Sequence, residues 1–209
     1  MEDSRKKKRD SGIAVLRRIA AKNHGIITRK EASDNGVASW YLTSMVRSSQ
    51  LERAERGIYL SRDSVSFDEL YFLQQRNQKC IFSYQSALYL HGLTDRIPDR
   101  EEVTVPQGYN AAHLGKDVIV HYANPDRYSI GIARCRTEMG NEVNAYDMER
   151  TICDLIRDRK HQDAEIFAKA IHRYLNKKEK NIWRLREYAQ QFGISEKTEE
   201  ILEIAGNHE

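Results

Sequence analysis

Proline is scarce in this 209-residue chain: three occur, against 11 glycines. So few breakers exclude long flexible linkers. Cysteine is scarce too. Cys80, Cys135 and Cys153 stand far apart, with no pair at two-residue spacing, which excludes a metal knuckle. An odd cysteine count suits a reducing compartment. With a charged start in place of an apolar leader, it sets the expectation of a cytoplasmic protein. No apolar run approaches the roughly 18 residues of a membrane span. The glycines form no phosphate loop of the G-x-x-x-x-G-K-[ST] kind.

What is present is a mixed-charge, core-forming composition, 40% hydrophobic and 31% charged. It fits a folded chain and not a disordered one. The net charge of +3 is unevenly spread. Residues 1–60 carry 13 Lys+Arg against 7 Asp+Glu, while residues 61–209 carry 21 against 24. A positive field concentrated at one end favours polyanions; the acidic remainder is suited to another task.

The basic end also has the pattern of a DNA reader. Residues 11–23 are expected to form a first helix, with Ser11 as N-cap, Ile13, Leu16, Ile19 and Ala20 on one face, and Gly25 in the left-handed position after its end. Before it, Arg5 to Arg9 form a basic arm expected to be mobile, either lying along phosphates or only solubilising. Thr28 and Glu31 have capping-box spacing and open a second helix over 29–34. Asn35-Gly36 turns the chain into a third helix, which Ser39 is placed to cap. Leu42, Met45 and Val46 give that helix an apolar face. Trp40, Tyr41, Thr43, Ser44 and Arg47 are left for phosphates or base edges. Residues 51–60 then read as a short hairpin tipped by Arg53 and Arg56. Helix, turn, helix and basic hairpin in this order describe a winged helix-turn-helix. Arg47 is positioned for the major groove with Thr43 and Ser44, while Arg29, Lys30, Arg53 and Arg56 are positioned for phosphates. Trp40 and Tyr41 fit either a sugar–phosphate contact or the core.

A connecting helix is expected over 65–78, within a linking segment 63–78, and a second domain over 79–209. That domain reads as a mixed α/β unit: a helix over 84–91 capped by Ser83, three strands over 101–106, 116–122 and 127–137, and a fourth over 141–146. Four helices close it: one after the Asp147 cap, two over 164–175 and 182–192, and a last one capped by Ser195. The expected class is α+β, a winged helix over 1–62 followed by a small sheet with a helical end.

Three strings in the second domain carry a family resemblance: Ser86-Ala-Leu-Tyr-Leu-His-Gly-Leu-Thr-Asp-Arg-Ile-Pro98, Thr104-Val-Pro-Gln-Gly-Tyr109 and Tyr146-Asp-Met-Glu-Arg-Thr-Ile-Cys-Asp-Leu-Ile156. Behind a winged helix, their order resembles the AbiEi antitoxins of abortive-infection toxin–antitoxin systems, over about residues 15–192. The resemblance implies a phage-defence operon with a nucleotidyltransferase-like toxin. It implies that the antitoxin represses its own promoter through the winged helix, two copies on an inverted repeat, and counters the toxin through the second domain. Candidate antitoxin surfaces are Asp147, Glu149, Arg150 and Arg157, and the loop with Lys177, Lys178 and Lys180. The loop reads otherwise as solvated, and Asp147 to Arg150 as a cap with a solvated or paired turn.

Catalysis is weakly supported. Cys153 with His161 or His172 could supply a thiol and a base, but Cys153 sits among Ile152 and Leu155 on one helix, as a buried structural thiol would. Asp99 and the run Asp158-Arg159-Lys160 only superficially resemble a metal nuclease's carboxylates and lysine. His91 before Gly92 reads as a structural histidine at a helix end. The expectation is a non-enzyme without metal or cofactor, whose partners are promoter DNA and a toxin, with no membrane. The alternative is a winged-helix regulator whose second domain senses a small molecule.

Overall fold

The computed structural model describes residues 2–63 and 67–206, with side chains over 12–63 and 67–205. The chain divides into two compact units: Met1–Gln78 with Arg136–Val143, and Lys79–Cys135 with Asn144–Glu209.

The first unit opens with α1, Glu2–Lys22. This corrects the expectation of a loose arm and of a Ser11 cap, because the helix runs through both. The basic run consists of good helix formers. Leu16, Ile19 and Ala20 are buried at helical spacing, and Gly25 (φ +89°) ends the turn with its N–H on the Ala20 carbonyl, 2.7 Å away. Next come β1 (Ile26–Thr28), α2 (Arg29–Asp34) and α3 (Ser39–Arg47), then β2 (Leu51–Glu55), β3 (Ile58–Ser61) and α4 (Glu69–Arg76). The sheet order is β1-β3-β2, antiparallel. Leu16, Ile19, Ile27, Leu42, Met45 and Leu51 close one core beneath it. Truncating a fully buried leucine such as Leu42 to alanine costs about 2–5 kcal/mol. This is a winged helix-turn-helix.

Two local details differ from expectation. The Thr28 hydroxyl accepts from the Glu31 N–H at 3.0 Å, but the Glu31 carboxylate does not return the bond. It accepts from Asn23 Nδ2 at 2.6 Å instead, because Thr28 is already paired in the sheet opposite Ile58. And α3 has Ala38, not Ser39, as its N-cap, with no side-chain cap bond. The tight turn through Gly36 (φ +74°) places the Val37 N–H 2.9 Å from the Ala32 carbonyl, which starts the helix one residue early for Ser39 to cap it.

The connecting helix is shorter than expected, Glu69–Arg76; residues 64–66 of that expectation lie outside the described residues. Its N-cap, Asp68, accepts from the Tyr71 N–H at 3.0 Å. Asp68 also accepts from Thr137 Oγ1 at 2.5 Å and Asn141 Nδ2 at 2.8 Å, which ties in the returning segment 136–143.

The second unit contains β4 (Ile81–Phe82), α5 (Tyr84–Leu90), β5 (Glu101–Pro106), β6 (Val118–Ala123), α6 (Pro125–Tyr128), β7 (Ile132–Arg136) and β8 (Glu142–Tyr146). Then follow α7 (Met148–Arg157), α8 (Ala164–Asn176), α9 (Ile182–Phe192) and α10 (Ser195–Gly206). The sheet order is β6-β5-β4-β8-β7; β4 runs antiparallel to β5 and parallel to β8, and β5 parallel to β6. The helices pack through Leu88, Ile152, Leu155, Phe167, Tyr174 and Leu185.

Several expectations are corrected here. The strand expected over 127–137 begins only at Ile132, because Asn124 caps a short helix with Pro125 at its start. Ser195 lies inside α10 and does not cap it. Ser83 is the N-cap residue of α5 but makes no cap bond; its hydroxyl accepts from Thr104 Oγ1 at 3.0 Å. The polar residues of β5 do not face water: Glu102 and Thr104 are buried with Val103 and Val105. Glu102 is satisfied by His121 Nε2 at 2.7 Å, and its N–H by Ser86 Oγ at 2.7 Å.

Candidate nucleic-acid interface

The first unit brings its expected DNA contacts to three adjoining places. Arg29 and Lys30, both exposed, open α2. The Arg29 N–H donates to the Gly57 carbonyl at 2.7 Å, which pins the start of α2 to the tip of the β2–β3 wing. Arg56 is exposed at that tip, and Gly57 (φ +86°) makes the turn in a conformation that side chains rarely adopt. Arg53 is exposed on β2 and donates from Nε to the Glu55 carbonyl at 3.3 Å. Ser39, Thr43 and Arg47 are exposed along α3, with Ser44 half-buried beside them. Among the described residues, no carboxylate lies within 4.0 Å of Arg29, Lys30, Arg47 or Arg56. Unpaired cations on a helix and a wing are available to phosphates and to guanine edges.

The two aromatics separate. Tyr41 is 7% exposed and belongs to the core, so its assignment as a DNA contact is corrected. Gly12 of α1 sits under it: a Cβ there would lie 2.7 Å from the ring. Trp40 is 50% exposed and stacks on Tyr41, ring centroids 3.7 Å apart. It presents an aromatic face to solvent.

In the second unit the expected partner surface is largely internal. Glu149 and Arg150 are 2% and 1% exposed, which corrects their placement as surface or solvated residues. The Arg150 guanidinium donates to Asp154 Oδ2 at 2.9 Å and to the carbonyls of Arg127 at 2.5 Å and Ile130 at 3.0 Å. It lies 4.1 Å from the Tyr146 ring centroid and 4.5 Å from that of Phe192. Glu149 accepts from Tyr174 Oη at 3.1 Å and from the Asn181 N–H at 2.8 Å. These groups are buried because each has its partners inside. Asp147 caps α7 through the Arg150 N–H at 2.8 Å, and burial raises its carboxyl above the ordinary value. Arg157, half-buried, lies 2.8 Å from Asp154 Oδ1, off the angle of a hydrogen bond, and donates to Tyr84 Oη at 3.3 Å.

Lys178 and Lys180 are exposed and Lys177 half-buried; Lys180 Nζ donates to the Leu175 carbonyl and so caps α8. Sequence reasoning missed Trp183, which begins the next helix and is 74% exposed. A large aromatic two residues into a helix, outside its Leu185–Ala189–Phe192 core stripe, was the available signal.

The chemistry weighed for Cys153 is closed off. The thiol is fully buried, donates toward the Leu185 carbonyl at 3.7 Å, and is pushed by burial to about 12, so it stays protonated. His161 pairs with Asp158 at 2.5 Å and His172 is exposed. His91 donates from Nε2 to the Tyr146 carbonyl, 2.7 Å away, and burial lowers its pKa. Among the described residues no group of three or more His, Cys, Asp or Glu could hold a metal ion, and no helix is long and apolar enough to cross a membrane.

Residues 15–62 match a family model described as transcriptional regulator, AbiEi antitoxin. The match falls on the winged helix; it does not extend to the three strings of the second unit that carry the resemblance in the sequence. No curated protein sequence matches the chain. Among solved structures, a protein titled RV2827C from Mycobacterium tuberculosis is similar, with a TM-score of 0.53 and 13% identity over 84% of this chain and 70% of that one. At that identity the likeness shows a shared fold.

Proposed function

We propose, from the membership of residues 15–62 in the AbiEi antitoxin family of transcriptional regulators, that this chain is the antitoxin of a bacterial abortive-infection toxin–antitoxin pair and represses its own operon. The carrying observation is the set of exposed, unpaired cations on α2, α3 and the wing: Arg29, Lys30, Arg47 and Arg56. In this reading α3 enters the major groove. Arg47 reads a guanine, a bidentate contact worth roughly 1–3 kcal/mol of discrimination. Ser39, Thr43 and Ser44 support it from the same helix. Arg29, Lys30, Arg53 and Arg56 hold phosphates, and Trp40 packs on sugar. Two copies on an inverted repeat supply the specificity that one short helix lacks.

The second unit counters a nucleotidyltransferase-like toxin. With Glu149 and Arg150 internal, the face for that partner is the Lys177–Lys178–Lys180 loop together with Trp183, and with Asp147 and Arg157 only at its margins. An exposed tryptophan among cations is the usual make-up of an interface anchor.

The test is binding of the full chain to the DNA upstream of its own gene, by anisotropy, with Arg47→Ala alongside. Wild type binds selectively, and the variant loses about tenfold or more of its preference for the operator while its melting temperature stays put. Equal binding by the variant removes Arg47 from the reading role; no selective binding by wild type removes the repressor reading. The alternative, a regulator with a ligand-sensing second unit, is favoured by the cavity described next. A toxin gene beside the operon favours the first reading, and an isolated gene beside metabolic genes the second.

A further inference from the structure

The second unit contains a cavity of about 440 Å³ between the end of α7, the turn at Arg159–His161 and α10. Its size lies within the roughly 300–1,000 Å³ of small-molecule sites. The apolar lining is Ile156, Phe167, Ile201 and Ile204. Ile204 is more than half exposed at the mouth, where a large aliphatic side chain gains nothing from water. The rim is basic. Arg159 lies 4.3 Å over the Phe167 ring, and Arg157 is held by Asp154. Lys160 comes from the turn and Lys197 from α10; among the described residues neither has a carboxylate within 4.0 Å. Two acids also line the cavity. Asp158 is engaged by His161, and Glu200 stands on α10. Cations therefore outnumber acids around an apolar lining, and the two lysines without partners come from two different elements.

We propose that this cavity binds a small amphipathic organic anion, its apolar body on Ile156, Phe167, Ile201 and Ile204 and its anionic head between Lys160 and Lys197. A neutral apolar compound leaves both ammonium groups unpaired, and a bare inorganic anion leaves the apolar lining wet. A ligand with both parts engages the two solvent-facing lysines and the apolar lining at once. The inference does not depend on the DNA-binding reading.

The experiment is calorimetric titration of the full chain with sodium octanoate, 1-octanol and inorganic phosphate as three separate probes. Octanoate binds saturably at one site, about tenfold or more tighter than either control. The double variant Lys160→Glu/Lys197→Glu, at two solvent-facing positions, loses about tenfold or more of the octanoate affinity. Ile204→Ser, also exposed, weakens octanoate without creating affinity for phosphate, and it carries the test if the double variant does not fold. Octanol binding as tightly as octanoate, phosphate binding as tightly as octanoate, unchanged affinity in the variants, or no saturable binding each overturns the proposal.

Discussion

Gly12 is a glycine in the middle of a helix, where alanine is ordinarily better by about 0.5–1 kcal/mol. Here that preference reverses. A methyl group would lie 2.7 Å from the Tyr41 ring, which is buried and stacked on Trp40 and would have to shift to admit it. Gly12→Ala is therefore expected to lower the melting temperature, measured by circular dichroism; a rise would mean that the ring yields. Arg150 makes the opposite point about charge. It reads in the sequence as a surface arginine two residues into a helix, yet among the described residues it is the largest fully buried side chain. Arg150→Met leaves Asp154 without its Nε partner and is expected to cost about 3–5 kcal/mol in chemical denaturation. A loss under 1 kcal/mol would show that Arg157 alone satisfies the carboxylate. Nothing local distinguishes Arg150 from a solvated arginine. Its burial comes from the carbonyls of Arg127 and Ile130, some twenty residues away in sequence, and from two rings, which is why the surface assignment failed.

Elements were legible where periodicity and punctuation agreed. The α2–α3 pair was marked by Thr28, by the glycine at Gly36 and by Leu42 and Met45 on one face; both helices form where expected, while their caps differ at Glu31 and Ser39. The sheet of the second unit was less legible. Its pairing is long-range, β4 joins it with two residues, and Glu102 and Thr104 of β5 are buried against Ser83, Ser86 and His121, partners that lie far off in sequence. The least legible element was α4. Its N-terminus depends on Asp68, and Asp68 depends on residues 137 and 141. Replacing Asp68 with alanine removes a helix cap and leaves two buried donors without their acceptor. Capping alone is worth about 1 kcal/mol, and each stranded donor adds about 1–3 kcal/mol. Asp68→Ala is expected to destabilise by more than the cap alone when followed by urea unfolding, with Asp68→Asn in between.

At the scale of the whole chain, the charge distribution makes its own prediction. If Arg29, Lys30, Arg53 and Arg56 each neutralise a phosphate, log affinity for operator DNA should fall against log salt with a slope of about −3 to −4 per copy. Titrations across a salt series measure it, and Arg56→Ala should reduce the slope by about 1 without changing sequence preference. A flat response would mean that the basic end does not carry the binding. The polarity of the chain, basic first and acidic after, was readable from composition alone; which of the later residues face a partner was not, because burial decides it.

The return of residues 136–143 to the first unit bears on how such a protein can evolve. A recombination event at residue 78 would look like a clean exchange of everything behind the winged helix. It would also replace Thr137 and Asn141, on which the cap of the first unit's last helix relies. The first unit is thus not a contiguous cassette. A lineage that swaps its downstream half must acquire a returning segment that still suits Asp68, so the two units are expected to descend together.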